Sequence, residues 1–277
     1  MRLDEIGLLR RHIAKRIGDA RLEHSPFPHL VVTEFFPPDV YAEIMRLNPF
    51  RETPGVEWLP RDASSNVSAR TPYHARKQVD LRAPEIPAAT PEAASFWRGI
   101  RDSLTGEDWF ARLIVAQFPD YFRLRFGDLL DAADFYALMQ TQLFLQRHEP
   151  GFAIGPHTDL PTRVFTCIFS FAESDGFEAF GTQLLAHKDR LVRCWGADHY
   201  APGDFVVRKL VPYRPNGFLL FFKTRHSFHA VAPVTDEVPN QRYGMQFQFH
   251  EPPGGVFTDL SVPDLMQFPR AAPVRAT

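Results

Sequence analysis

Cysteine, net charge and long apolar runs are all scarce in this chain, and each scarcity removes a class of protein. Two cysteines, Cys167 and Cys194, in 277 residues cannot make a disulfide framework and suit a reducing compartment. They could bridge each other only if the fold made their strands neighbours. The formal charge is −2, so neither nucleic acid nor an anionic membrane surface is expected as the main partner. No apolar stretch approaches the ~20 residues of a membrane-spanning helix. Residues 1–22 alternate Arg, Lys, Asp and Glu with Leu and Ile, which is not the pattern of a secretory signal. The expected location is therefore cytoplasmic. Also missing are a G-x-G-x-x-G, a P-loop and a G-x-S-x-G elbow, so dinucleotides, nucleoside phosphates and a serine nucleophile have no visible cradle.

What is present is aromatic and punctuated. The chain is 44% hydrophobic and 23% charged, with 26 phenylalanines and 25 prolines, the make-up of a globular protein with many turns and short elements. Up to about residue 133 helical spacing dominates. Leu3, Ile6, Leu9, Ile13 and Ile17 make an amphipathic helix. A short helix opens at Pro37-Pro38-Asp39, and two more are expected over 91–104 and 108–118. Short strands are expected at 29–33 and 78–81, with loops through most of 50–90. After Ala133 the period becomes two, and eight strands are expected at 136–147, 153–157, 163–171, 182–186, 204–211, 217–223, 226–232 and 242–250. In the last, Tyr243, Met245, Phe247 and Phe249 alternate with Arg242, Gly244, Gln246 and Gln248. A polar face of that kind, turned into a barrel, would line a site. Eight antiparallel strands without helical crossovers fit a jelly roll. The expected fold is mainly β with a helical N-terminal region: one domain, with a helical and loop buttress (1–133), a jelly-roll catalytic core (134–250) and an irregular tail (251–277).

Two imidazoles and a carboxylate can share one face of a divalent metal. An H-x-D triplet is weak evidence alone, since about one is expected by chance in a chain of this composition. There are two: His157-Thr158-Asp159, at a strand end, and His187-Lys188-Asp189, running into a charged loop. A two-residue step from a strand end puts both side chains of the first on one face. For a third ligand His226 and His229 compete. His229 lies deeper in the apolar stretch 228–232, where an unpartnered imidazole needs a reason to be buried. Arg242 opens the last strand on its polar face and offers a planar fork for a carboxylate.

Together these residues resemble the Fe(II)/2-oxoglutarate-dependent oxygenases, in particular the bacterial branch similar to prolyl 4-hydroxylases. The likeness runs from about Gln140 to Phe249. It is carried by Leu145-Gln-Arg-His-Glu-Pro-Gly151 before Pro156-His-Thr-Asp159, by Gly181-Thr-Gln-Leu184, and by Pro215-Asn-Gly-Phe-Leu-Leu-Phe-Phe-Lys-Thr224 before Ser227-Phe-His-Ala-Val231. Pro26-Phe-Pro-His-Leu-Val-Val32 resembles the opening of such enzymes. The resemblance implies a double-stranded β-helix with iron(II) on His157, Asp159 and His229. It also implies 2-oxoglutarate bound through Arg242 and assisted by Gln142 (or Gln140), with O2 as oxidant. The implied outcome is hydroxylation of a C–H bond with release of succinate and CO2. Asp159 stands where related halogenases carry a small residue. The interval from His229 to Arg242 is longer than in many members. Neutral imidazoles are needed to ligate, so activity is expected to fall below about pH 6. The expected substrate is a small polar metabolite such as an amino acid, a sugar derivative or a natural-product intermediate, and Arg76, Lys77, Arg163 and His226 are basic groups that could approach an anionic one. A peptidyl prolyl side chain is the alternative substrate, and a non-catalytic jelly-roll binding module the alternative function. A cupin-type enzyme would show H-x-H and a glutamate, which the chain lacks near His157. Oligomeric state has no sequence signature here.

Overall fold

Alternation of apolar and polar residues builds two antiparallel sheets whose facing surfaces are not alike. The computed structural model describes residues 3–48, 76–86, 88, 90–196, 198–236 and 242–252. Strands β1 (Leu22–Glu23), β2 (His29–Val32) and β3 (Arg76–Asp80) precede a run of eight: β4 (Gln140–His148), β5 (Ile154–His157), β6 (Arg163–Ser170), β7 (Thr182–His187), β8 (Phe205–Val211), β9 (Gly217–Phe222), β10 (His229–Val231) and β11 (Arg242–His250). The larger sheet has the order β1-β2-β9-β6-β11-β4-β3 and the smaller β5-β10-β7-β8. The chain thus passes back and forth between the sheets from β4 to β11, which is the double sheet of a jelly roll. The N-terminal strands lengthen the larger sheet at both edges.

Six helices cover one face of the larger sheet: α1 (Leu3–Asp19), α2 (Pro38–Arg46), α3 (Pro91–Thr105), α4 (Trp109–Gln117), α5 (Pro119–Phe126) and α6 (Phe135–Leu138). Proline at the first turn of α2, α3 and α5 suits a position whose N–H has no helical partner. Thr90 caps α3 by accepting from the Ala93 N–H at 3.1 Å. Leu9, Ile13 and Ile17 of α1 enter one core with Leu143, Leu145, Phe165, Phe169, Phe218, Phe222, Phe247 and Phe249 from the sheet. The abundance of phenylalanine is spent here. Phe35 stacks on Phe218 at 4.3 Å and meets Phe169 edge-on, while Phe110 meets Phe247 at 5.1 Å.

Residues one step along each strand point the other way, between the sheets. On β9 that second face is apolar, with Leu219 and Phe221. On β4, β6 and β11 it is mostly polar, with Gln142, Gln146, Thr166, Ser170, Arg242, Gln246 and Gln248 interrupted by Phe144 and Ile168. The polar face of β11 therefore lines the barrel interior.

Three expectations change. The strand expected from 136 begins at Gln140, because Phe135–Leu138 is a helical turn; a short apolar run does not distinguish the two. The helix α5 was not anticipated, although Tyr121, Phe122, Arg125 and Phe126 form its buried face. Cys167 and Cys194 are both buried and free rather than bridged. The loop expected over most of 50–90 and the tail after 252 lie largely outside the described residues. Among the described residues, no helix is long and apolar enough to cross a membrane.

Candidate metal centre

β5 ends and β10 begins at the same level of the smaller sheet. His157 and His229 are register partners, with ring centroids 4.2 Å apart. The chain continues two residues past β5 to Asp159, whose Oδ1 lies 3.8 Å from His229 Nε2. One potential ligand atom from each of His157, Asp159 and His229 lies within 4.8 Å of the other two, and all three residues are buried. Among the described residues no other cluster of His, Cys, Asp or Glu meets that test. His187 and Asp189 do not: Asp189 is exposed, and the His187 ring interacts with its backbone carbonyl and N–H. His226 lies outside the group and lines a different cavity, beside His187 and Arg190.

Both imidazoles are oriented in the same way. Nδ1 of His157 faces the Gly155 carbonyl at 2.9 Å, and Nδ1 of His229 faces the Ser227 carbonyl at 3.0 Å. A carbonyl can only accept, so Nδ1–H is the donor in each and Nε2 keeps its lone pair for the centre. Burial lowers the pKa of both rings, for His157 well below the ordinary 6.5, with its neighbour His229 adding to the effect. Both imidazoles are thus neutral over the physiological range, as ligation requires.

Asp159 is held by both oxygens. Arg163 Nη1 donates to Oδ1 at 2.6 Å and Thr166 Oγ1 to Oδ2 at 2.7 Å. Burial pushes this carboxyl up, but Arg163, the two imidazoles and the Thr166 hydroxyl outweigh it and hold it well below the usual carboxylate range. Arg163, expected as a basic group open to substrate, is instead mostly engaged with a residue of the triad.

Two neighbours of the triad were missed by the sequence reading. His199 stacks on His157 at 4.9 Å and pairs with it through the backbone. Lys223 is buried, donates to Thr158 Oγ1 at 2.8 Å, and has its amine pKa pulled down to about 7 by desolvation. A lysine directly after the apolar strand Gly217–Phe222 was the available signal for the second. For His199, in a loop, there was none.

Arg242 and Gln142 occupy separate parts of the barrel. Arg242 is buried at the start of β11; its Nε donates to the Phe180 carbonyl at 2.7 Å, and its Nη1 lies 2.6 Å from Nδ1 of His148, whose Nε2 is 3.1 Å from Nε of the buried Arg76. The guanidinium lies over the Tyr213 ring, and no carboxylate pairs with it among the described residues. Desolvation brings its pKa down to about 10. Phe180 precedes β7 by two residues, and it is Leu184 of β7 that pairs with His229. Arg242 therefore touches the chain four residues before the one that adjoins the triad. Gln142 lines a larger cavity that also reaches Arg163. Gln146 lines both that cavity and the narrow pocket around Arg242.

No family model matches this chain, and no curated protein matches it. Among solved structures, a prolyl-4-hydroxylase from Pseudomonas putida matches at 12% identity and TM-score 0.43, covering 88% of this chain and 98% of its own. A 2OG-Fe(II) oxygenase family oxidoreductase from Burkholderia pseudomallei matches at 12% identity and TM-score 0.38, covering 88% and 89%. HygX from Streptomyces hygroscopicus, solved with nickel, 2-oxoglutarate and hygromycin B, matches at 12% identity and TM-score 0.39, covering 88% and 90%. Likeness this distant does not decide chemistry, which rests on the side chains themselves.

Proposed function

We propose that the chain is an Fe(II)- and 2-oxoglutarate-dependent oxygenase that hydroxylates a C–H bond of a small polar molecule. The observation that carries this is the buried meeting of two tautomer-fixed imidazoles and one ionised carboxylate. Two nitrogens and one oxygen on a single face suit a first-row divalent metal and leave its other positions open. The donor set thus fits iron(II), with His157, Asp159 and His229 as its ligands. Bound there with 2-oxoglutarate and O2, iron(II) supplies an oxidation in which one oxygen atom enters succinate, released with CO2, and the other enters the substrate.

The residues of the chain prepare that chemistry. The carbonyls of Gly155 and Ser227 aim the two Nε2 lone pairs. Thr166 holds Oδ2 of Asp159, so that Oδ1 faces His229. Arg242 is a buried cation without a carboxylate, and it takes the distal carboxylate of the co-substrate; removing an anion from water is favourable only beside such a partner. His148 and the Phe180 carbonyl fix two edges of that guanidinium and leave the rest of its fork for the ligand. Gln142, with Gln140 as second choice, assists from the cavity wall.

The test is stoichiometric. Purified protein should form succinate only with both iron(II) and 2-oxoglutarate present. His157→Ala and Asp159→Ala should each lose the metal. A tight iron complex surviving in both variants would end the proposal.

A further inference from the structure

The polar face of β4 and β11 does more than line the barrel. Together with β3 it displays six glutamines, Gln78, Gln140, Gln142, Gln146, Gln246 and Gln248, around one cavity of about 380 Å³. The array follows from register. Gln78 pairs with Gln146, and Gln142 pairs with Gln248, and the two-residue period keeps the others on the same side. Each amide offers one acceptor oxygen and two N–H donors. Two contacts are internal: Gln146 Nε2 donates to Gln246 Oε1 at 3.0 Å, and Gln248 Oε1 lies 3.1 Å from His250 Nε2. Gln78, Gln140 and Gln142 make no side-chain hydrogen bond among the described residues.

The charges in this wall are each paired, leaving one buried donor, Arg163 Nε, and one buried acceptor, Glu251 Oε2, without a hydrogen-bond partner among the described residues. Arg163 is paired with Asp159, and Glu251 with Arg125 at 2.6 Å. These two lining residues are opposite in sign. His250 is kept neutral, its pKa lowered to about 3, chiefly by burial and by Arg163. An ionic ligand would therefore lose its hydration without gaining a free counter-charge. The apolar lining is confined to Phe144 and Leu160, too little for a hydrocarbon substrate but enough for the C–H face of one ring. A vicinal diol, by contrast, donates and accepts at neighbouring oxygens, and an amide answers both.

We propose that this cavity, through Gln78, Gln146, Gln246 and Gln248 and with Gln142 left to the co-substrate, binds a neutral polyhydroxylated molecule, a sugar or cyclitol, as the substrate to be oxidised. This rests on the reading of His157, Asp159 and His229 as the iron site, since Arg163 joins the cavity wall to Asp159. A peptidyl proline fits less well, because its ring would lie against amides rather than apolar surface.

Calorimetry on the full chain loaded with Mn(II) and 2-oxoglutarate tests the assignment. The probes are methyl glucoside and inositol (neutral), glucuronate (anionic), glucosamine (cationic) and a blocked prolyl peptide. At least one neutral polyol should bind, with the charged and peptide probes at least about tenfold weaker, a penalty of ~1.4 kcal/mol. Gln78→Leu, on β3, should weaken the neutral probe and leave 2-oxoglutarate binding unchanged. Gln248→Glu should shift preference towards glucosamine by adding an unmatched anion. Preference for glucuronate or the peptide, or no polyol binding at all, while Mn(II) and 2-oxoglutarate still titrate, overturns the substrate assignment and leaves the oxygenase reading standing. Polyol binding without any Mn(II) binding overturns the oxygenase reading, and with it the role of the polyol as a substrate to be oxidised.

Discussion

Thr166→Val isolates how the structure aims its single carboxylate ligand. Thr166 is 1% exposed on β6, and its hydroxyl is the one side-chain donor that the described residues give to Asp159 Oδ2, at 2.7 Å. Valine nearly matches threonine in volume, so the change removes a hydrogen bond without opening a cavity. A hydrogen bond to a charged group contributes about 1.5–3 kcal/mol. Groups that orient a metal ligand typically change metal affinity ~10–100-fold, equivalent to about 1.4–2.7 kcal/mol. The two estimates overlap. Losing the bond also makes the carboxylate more basic, which favours metal, but the loss of orientation is the larger effect in such sites. Mn(II) titration by calorimetry should therefore show Kd rising by one to two orders of magnitude, with Asp159→Ala losing binding altogether. An affinity within roughly twofold of the parent would mean that Thr166 does not position the ligand, in conflict with the usual effect of such groups.

Other perturbations test neighbouring parts of the argument. Because burial lowers the pKa of His157 and His229 below the ordinary 6.5, the unfolded chain binds more protons than the folded one below that value. Metal-free stability should then fall as pH drops below 6.5 towards the lowered native values, as urea melts at successive pH would record. By the same shift, proton competition with the metal should set in at more acid pH than an ordinary histidine implies, measurable by Mn(II) titration down the pH scale. Arg242→Gln should weaken 2-oxoglutarate by about 2 kcal/mol or more, some 30-fold, as expected for truncating one partner of a buried charge pair. Mn(II) affinity should stay unchanged, and equal loss of both would argue that Arg242 only supports the fold. Phe35→Ala, removing a ring stacked on Phe218 and set against Phe169 and Phe110, should destabilise by about 3–5 kcal/mol in a denaturant melt.

Much of this protein is legible along the chain because its strongest signals are local. The two-residue period from β4 to β11 reports which side chains share a face, and turn residues report where strands stop. The H-x-D step at the end of β5 and the apolar surroundings of His229 need nothing further. The amphipathic spacing of α1 places Leu9, Ile13 and Ile17 in the core for the same reason. The errors are local too: Phe135–Leu138 is too short for period to separate helix from strand.

What only the tertiary structure decides is which distant groups meet. Arg163 and Thr166 on Asp159, His148 against Arg242, Lys223 beneath Thr158, and glutamines from three strands around one cavity all depend on register and on the pairing of sheets. The alternation of β11 says that Gln246 and Gln248 face one way, but not that Gln78 and Gln142 stand beside them. Periodicity follows from backbone geometry over a few residues, whereas a site is set by contacts between segments as much as about 170 residues apart.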